Sequence, residues 1–164
     1  MKKKILIPTD FSVQSLNVLK SILSANASND TYDIILLHGF NLSDSIMDLL
    51  FFSKSQQINS LSSPEFKEAC EVIKNKFASQ INSITMDLFS GYTVSSFNSY
   101  IETNKVDEII TSNLEPSFNH KNSFNLLRFI KKCKINPITI NPSIHAVSPE
   151  KGKVAEVFSQ ISIG

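Results

Sequence analysis

The side chains with the most chemical reach are His38, His120 and His145, the cysteines Cys70 and Cys133, and Asp10 just after an apolar run. A metal site needs several such groups at short spacing or on one face. These histidines are dispersed, with no acid or cysteine at ligand spacing, so no metal is expected. His38 reads as a satisfied residue at the end of a buried strand, and His120 and His145 as loop residues. Nucleophilic catalysis has no better footing. No G-x-S-x-G elbow is present, Cys70 falls on the apolar face of a predicted helix, and Cys133 lies at a helix C-terminus, which disfavours a thiolate. Phosphate cradles need clustered glycines that let backbone N–H groups close around oxygen. The four glycines, Gly39, Gly91, Gly152 and Gly164, stand singly.

The chain that must position any site has 164 residues, 41% of them hydrophobic, with a net charge of +1. That is enough for one domain with its own core plus an appendage. The near-zero charge gives no footing for nucleic-acid binding through a basic surface. Two cysteines make no disulfide framework, which fits a reducing compartment. The apolar run after Lys2-Lys3-Lys4 is only Ile5-Leu6-Ile7, too short for a signal peptide, and Ile46 to Phe52 falls far short of the ~20 residues that span a bilayer. A cytoplasmic protein without membrane association is expected.

Ile5-Leu6-Ile7 and Tyr32 to His38 read as strands buried on both faces. Between them Ser12 caps a helix with Leu16, Leu19, Ile22 and Leu23 at helical spacing, to about Ala25. One helix between two such strands makes a βαβ unit. Further on, Ser63 or a Ser62/Glu65 capping box starts a helix at Pro64, with Phe66, Ala69, Cys70, Ile73, Phe77 and Ile81 on its apolar face. A strand at Ile84 to Phe89 and a helix from Thr93 to Thr103 follow, the helix ending on Asn104 in the left-handed conformation. Then come a strand at Val106 to Thr111, a helix from Asn122 to Cys133 and a strand at Pro137 to Ile140. The alternation βαβαβαβαβ predicts an α/β, doubly wound parallel sheet of five strands with helices on both faces. Residues 1–143 make this domain. Residues 144–164 form a C-terminal extension in which Val154, Val157, Phe158 and Ile161 recur at helical spacing.

The opening KKKILIPTDFS, the second strand YDIILLHGF, the fourth VDEIITSN and the close KKCKINPITI together resemble the universal stress protein family, across about residues 2 to 143. The resemblance implies a Rossmann-like sheet of order 3-2-1-4-5, dimerisation through the edge of the last strand, and a choice between ATP-binding and non-binding branches. The binding branch carries G-x2-G-x9-G-[ST] directly after the fourth strand. Here the first two of those glycines fall on Thr111 and Leu114, and the third near Ser123 or Phe124. Leu114 and Phe124 add side chains, and Glu115 adds negative charge, where phosphates would approach.

In that strand order the crevice lies between the first and fourth strands, beyond their C-terminal ends. Thr9, Asp10, Gly39, Thr111, Ser112 and Asn113 are its expected lining. The resemblance implies that Asp10 and the residue after His38, here Gly39, meet an adenine ring. On the plain reading, Asp10 and Ser12 organise the strand-to-helix turn. The expectation is therefore a non-enzymatic stress-response protein without cofactor that acts as a homodimer on a protein partner. The alternative is an ATP- or AMP-binding protein with an altered phosphate contact. A phospho-receiver domain shares the alternation but needs an acidic cluster and a lysine ending the fifth strand, and Ile140 is followed by Asn141.

Two surface features remain. From Ser117 to Pro149 there is no acidic residue, while His120, Lys121, Arg128, Lys131, Lys132 and Lys134 all occur. Helix-dipole complementation and a solvated face account for most of this charge, and an anionic partner would also suit it. Ile46 to Phe52 is apolar within a connection that is normally polar. It is expected to form a short helix, either packed over the sheet edge or against a second subunit.

Overall fold

The computed structural model describes residues 2–25 and 30–141. The C-terminal extension, with His145, and most of the turn after Ala25 lie outside the described residues. Apolar runs without alternation can be buried only inside a covered sheet. Accordingly β1 (Lys2–Pro8) lies at the centre, between β2 (Thr31–Phe40) and β4 (Glu108–Ser112). The outer positions go to β3 (Ile81–Phe89) beside β2 and β6 (Ile138–Ile140) beside β4. All four of these pairings are parallel. The five parallel strands thus take the expected 3-2-1-4-5 order. A sixth strand, β5 (Ser123–Phe124), pairs antiparallel with the end of β2.

Helices cover both faces. On one, the 3-10 turn Val13–Leu16, α1 (Asn17–Ser24), α3 (Lys54–Leu61) and α4 (Pro64–Lys76) pack on Ile5, Ile7, Ile34 and Leu36. On the other, α5 (Val94–Thr103) and α6 (Leu127–Ile130) pack on Leu6, Ile35, Leu37 and Ile109. Successive strand residues alternate between these two cores because strand side chains point to opposite faces. Leu6, Leu37, Phe66 and Phe97 are fully buried, each contributing roughly 1.5–3 kcal/mol of apolar burial.

The caps explain the clearest boundaries. Ser63 Oγ accepts the Phe66 N–H at 3.1 Å with Pro64 following it, while Ser62 instead closes α3 by donating to the Ile58 carbonyl. Thr93 and Ser96 form a reciprocal capping box at the start of α5. Three expectations shift. Ile81 opens β3 rather than ending the face of α4. Lys105, not Asn104, takes the positive φ after α5, at 55°. The helix expected from Asn122 is divided into β5 and the short α6, with Asn125 Oδ1 accepting the Leu127 N–H at 3.0 Å. The remaining helix, α2 (Ile46–Leu50), forms where the apolar connection predicted one. No helix among the described residues is long and apolar enough to cross a membrane.

Candidate functional site

Beyond Leu6 and Ile109, β1 and β4 no longer pair. The chain then leaves β1 toward the α1 face and β4 toward the α6 face. That divergence opens a crevice at the C-terminal strand ends, the place where doubly wound sheets bind ligands. Thr9, Asp10, Gly39, Thr111 and Ser112 all line it. Asn113 lies outside the lining, and its N–H donates to the Ile140 carbonyl at 3.3 Å.

The turn after β1 is wound tightly around Thr9 and Asp10. Thr9 Oγ1 accepts the Phe11 N–H at 2.9 Å, and Asp10 Oδ1 accepts from both the Ser12 N–H and the Ser12 hydroxyl, at 2.9 and 2.6 Å. Phe11 between them has a φ of 63°, an uncommon and strained conformation for a bulky residue. Its ring is held by stacking on His38, centroids 4.7 Å apart, and by an edge contact with Phe66.

The loop after β4 comes back over this turn, and three of its ties bear on the crevice. The second carboxylate oxygen of Asp10 accepts the Ser117 N–H at 2.8 Å. His38, 2% exposed, bridges two elements, with its Nδ1 2.8 Å from the Thr9 carbonyl and its Nε2 2.7 Å from Ser123 Oγ. A carbonyl only accepts, so Nδ1 carries the proton and Nε2 accepts from the serine hydroxyl. Burial lowers the His38 pKa against the opposing pull of the Thr9 carbonyl, which favours this neutral tautomer.

The third tie is the contact of Phe124 with Gly39. A Cβ at residue 39 would stand 2.6 Å from the Phe124 carbonyl oxygen and 2.7 Å from its ring. Glycine is thus required there for close approach of β5, not for its φ. Arg128 lies 4.8 Å over the outer face of the Phe124 ring, and Phe129 meets that ring edge-on. Phe124 is therefore clamped between β2 and α6.

What remains of the crevice is about 80 Å³, against the roughly 300–1,000 Å³ of small-molecule sites. Its charged lining residues are Asp10 and Glu115, with no lysine or arginine to meet a phosphate. Thr111 is 3% exposed, and its hydroxyl is 3.1 Å from that of Thr139 on β6. Ser112 Oγ accepts the Leu114 N–H. The hydroxyl and carboxylate groups expected to face a ligand are thus engaged with this chain's own backbone and side chains.

Phe118 in the lining and the ties of Ser117 to Asp10 and of Ser123 to His38 were not expected, whereas Phe124, expected in place of a phosphate-loop glycine, does line the crevice. His120 rests on Phe40, ring centroids 5.0 Å apart. Among the described residues no group of three His, Cys, Asp or Glu side chains is placed to hold a metal ion. Burial pushes the Cys70 thiol up to about 12, which leaves it inert at neutral pH.

No protein-family model and no curated protein matches the chain. Among solved structures, universal stress protein UspA from Lactobacillus plantarum is 15% identical, covering 85% of this chain and 97% of its own, with a TM-score of 0.51. Hypothetical protein MJ0577 is 25% identical over 85% of this chain and 94% of its own, at a TM-score of 0.49. A universal stress protein in complex with cAMP is 14% identical over 85% and 97%, at 0.46. With the five parallel strands in this order, helices on both faces and the crevice at the strand switch, the chain has the α/β, Rossmann-like fold of a universal stress protein.

Proposed function

We propose that this is a non-enzymatic, cytoplasmic protein of the universal stress type that acts in stress response through dimerisation and partner binding, with its nucleotide crevice filled by its own chain. The observation that carries the reading is Phe124 packed against Gly39, with the loop before it fixed by Asp10 and His38. A purine would have to displace that ring, and a triphosphate would meet Asp10 and Glu115 rather than a cation. The absence of a glycine from Tyr92 to Lys151 supports the same reading, since the phosphate loop of the binding branch depends on three.

The test is to unfold protein purified without added nucleotide and chromatograph the supernatant. No adenine nucleotide is expected. Release in near-stoichiometric amount would overturn the reading in favour of an ATP- or AMP-binding protein.

A further inference from the structure

The connection from β2 to α4 carries an apolar surface that the crevice does not use. Among the described residues eight large hydrophobic side chains are exposed, and five of them, Ile46, Met47, Leu49, Leu50 and Phe51, stand together on α2 and the turn after it, between 44% and 76% bare. The others, Val72, Tyr92 and Ile138, are single residues far apart in sequence. The segment is built to hold its side chains outward. Ser45 Oγ accepts the Asp48 N–H at the start of α2, the Ser43 hydroxyl donates to Asp48 Oδ2 at 2.9 Å, and Phe52 turns inward onto the core. A groove of about 560 Å³ runs between Met47, Phe51 and Phe52 on one side and Phe40 and His120 on the other. The far wall is fixed as well. His120 Nδ1 accepts the Asn122 N–H at 3.0 Å, and the Asn122 carbonyl accepts the Asn41 N–H at 2.8 Å. A monomer seldom leaves a contiguous apolar surface of this kind uncovered.

We propose that the chain's own C-terminal segment, residues 142–164, covers this groove, with Val154, Val157, Phe158 and Ile161 set into it. These four recur at i, i+3, i+4 and i+7, one face of a helix, while Glu156, Ser159 and Gln160 fall on the opposite face. Ser148 followed by Pro149 is a start signal for such a helix. The segment also begins at the right end of the molecule. Strands β2 and β6 are joined through β1 and β4 by parallel pairings, so Asn141 after β6 and the connection to α2 after β2 leave the sheet at the same end. With β1 and β4 between them, they stand three strand spacings of about 4.8 Å apart, roughly 14 Å. The chain from Asn141 to Val154 can extend over roughly 40 Å, ample for that crossing and for the loops it must clear. Ile138 lies nearer to the starting point, yet it offers one exposed side chain where the α2 surface offers five to match a four-residue stripe.

Hydrogen exchange on the full chain tests this with two reciprocal variants and a control. In the wild type, exchange at residues 154–161 is expected to be at least about tenfold slower than in an unstructured peptide, and equally slow across a hundredfold range of protein concentration. Leu50→Asp/Phe51→Asp alters exposed positions and should remove that protection while β1 and β4 stay protected. Val157→Asp/Phe158→Asp should in turn quicken exchange in residues 46–52, a result that does not depend on how the α2 variant folds. Ile138→Asp should leave residues 154–161 protected. Unprotected residues 154–161 in the wild type overturn the inference and leave the α2 surface to a separate partner. Protection that grows with concentration overturns it in favour of a second copy. Protection lost with Ile138→Asp but kept in the α2 variant overturns it in favour of docking beside β6.

Discussion

Gly39 and Phe124 decide the character of the crevice, and they are also where the residue-level reading of the sequence ended. Thr9 and Asp10 were legible as a strand-to-helix turn because their partners, Phe11 and Ser12, are adjacent in sequence. Phe124 lies 85 positions beyond Gly39, and no local pattern joins them. Gly39→Val places methyl groups against a backbone carbonyl that cannot rotate away. It should destabilise the protein by about 1–3 kcal/mol, read as a lowered urea midpoint at unchanged slope. His38 gives a second prediction. Its folded-state pKa lies below the ordinary 6.5, so the unfolded chain binds the proton first. The stabilisation is complete above about pH 6.5 and is lost as pH falls below it. Urea melts from pH 7.5 down to 5 should show this loss, and His38→Gln should flatten the part that this residue contributes.

At the scale of elements, legibility followed locality in the same way. Helices α4 and α5 announce themselves through Ser63-Pro64 and Thr93, caps that act within one turn. The expected helix from Asn122 fails because Asn122, Ser123 and Asn125 are weak helix formers. Pairing with β2 offers the backbone of Ser123 and Phe124 partners that a first helical turn lacks. The hydroxyl of Ser123 then fastens β5 to His38. Ser123→Ala leaves Nε2 of a buried imidazole without its donor and should cost about 1–3 kcal/mol. Hydrogen exchange should quicken in residues 113–124 and stay unchanged in β1 and β4, because the latch holds the loop and not the sheet. Equal protection in wild type and variant would show that the loop is held by other contacts.

For the whole molecule, the alternation of buried strands with amphipathic helices was enough to give the parallel sheet, while its order and the position of the crevice came from the family resemblance. Neither was enough to say whether that crevice is open. Openness depends on a loop held by long-range attachments, among them those at Asp10, His38 and Gly39. The resulting molecule keeps the sheet and switch point of the universal stress fold, with Phe124 packed against Gly39 in the crevice. Calorimetric titration of the full chain with ATP and magnesium tests this account most directly. No saturable heat is predicted up to millimolar nucleotide, and a micromolar dissociation constant would contradict it.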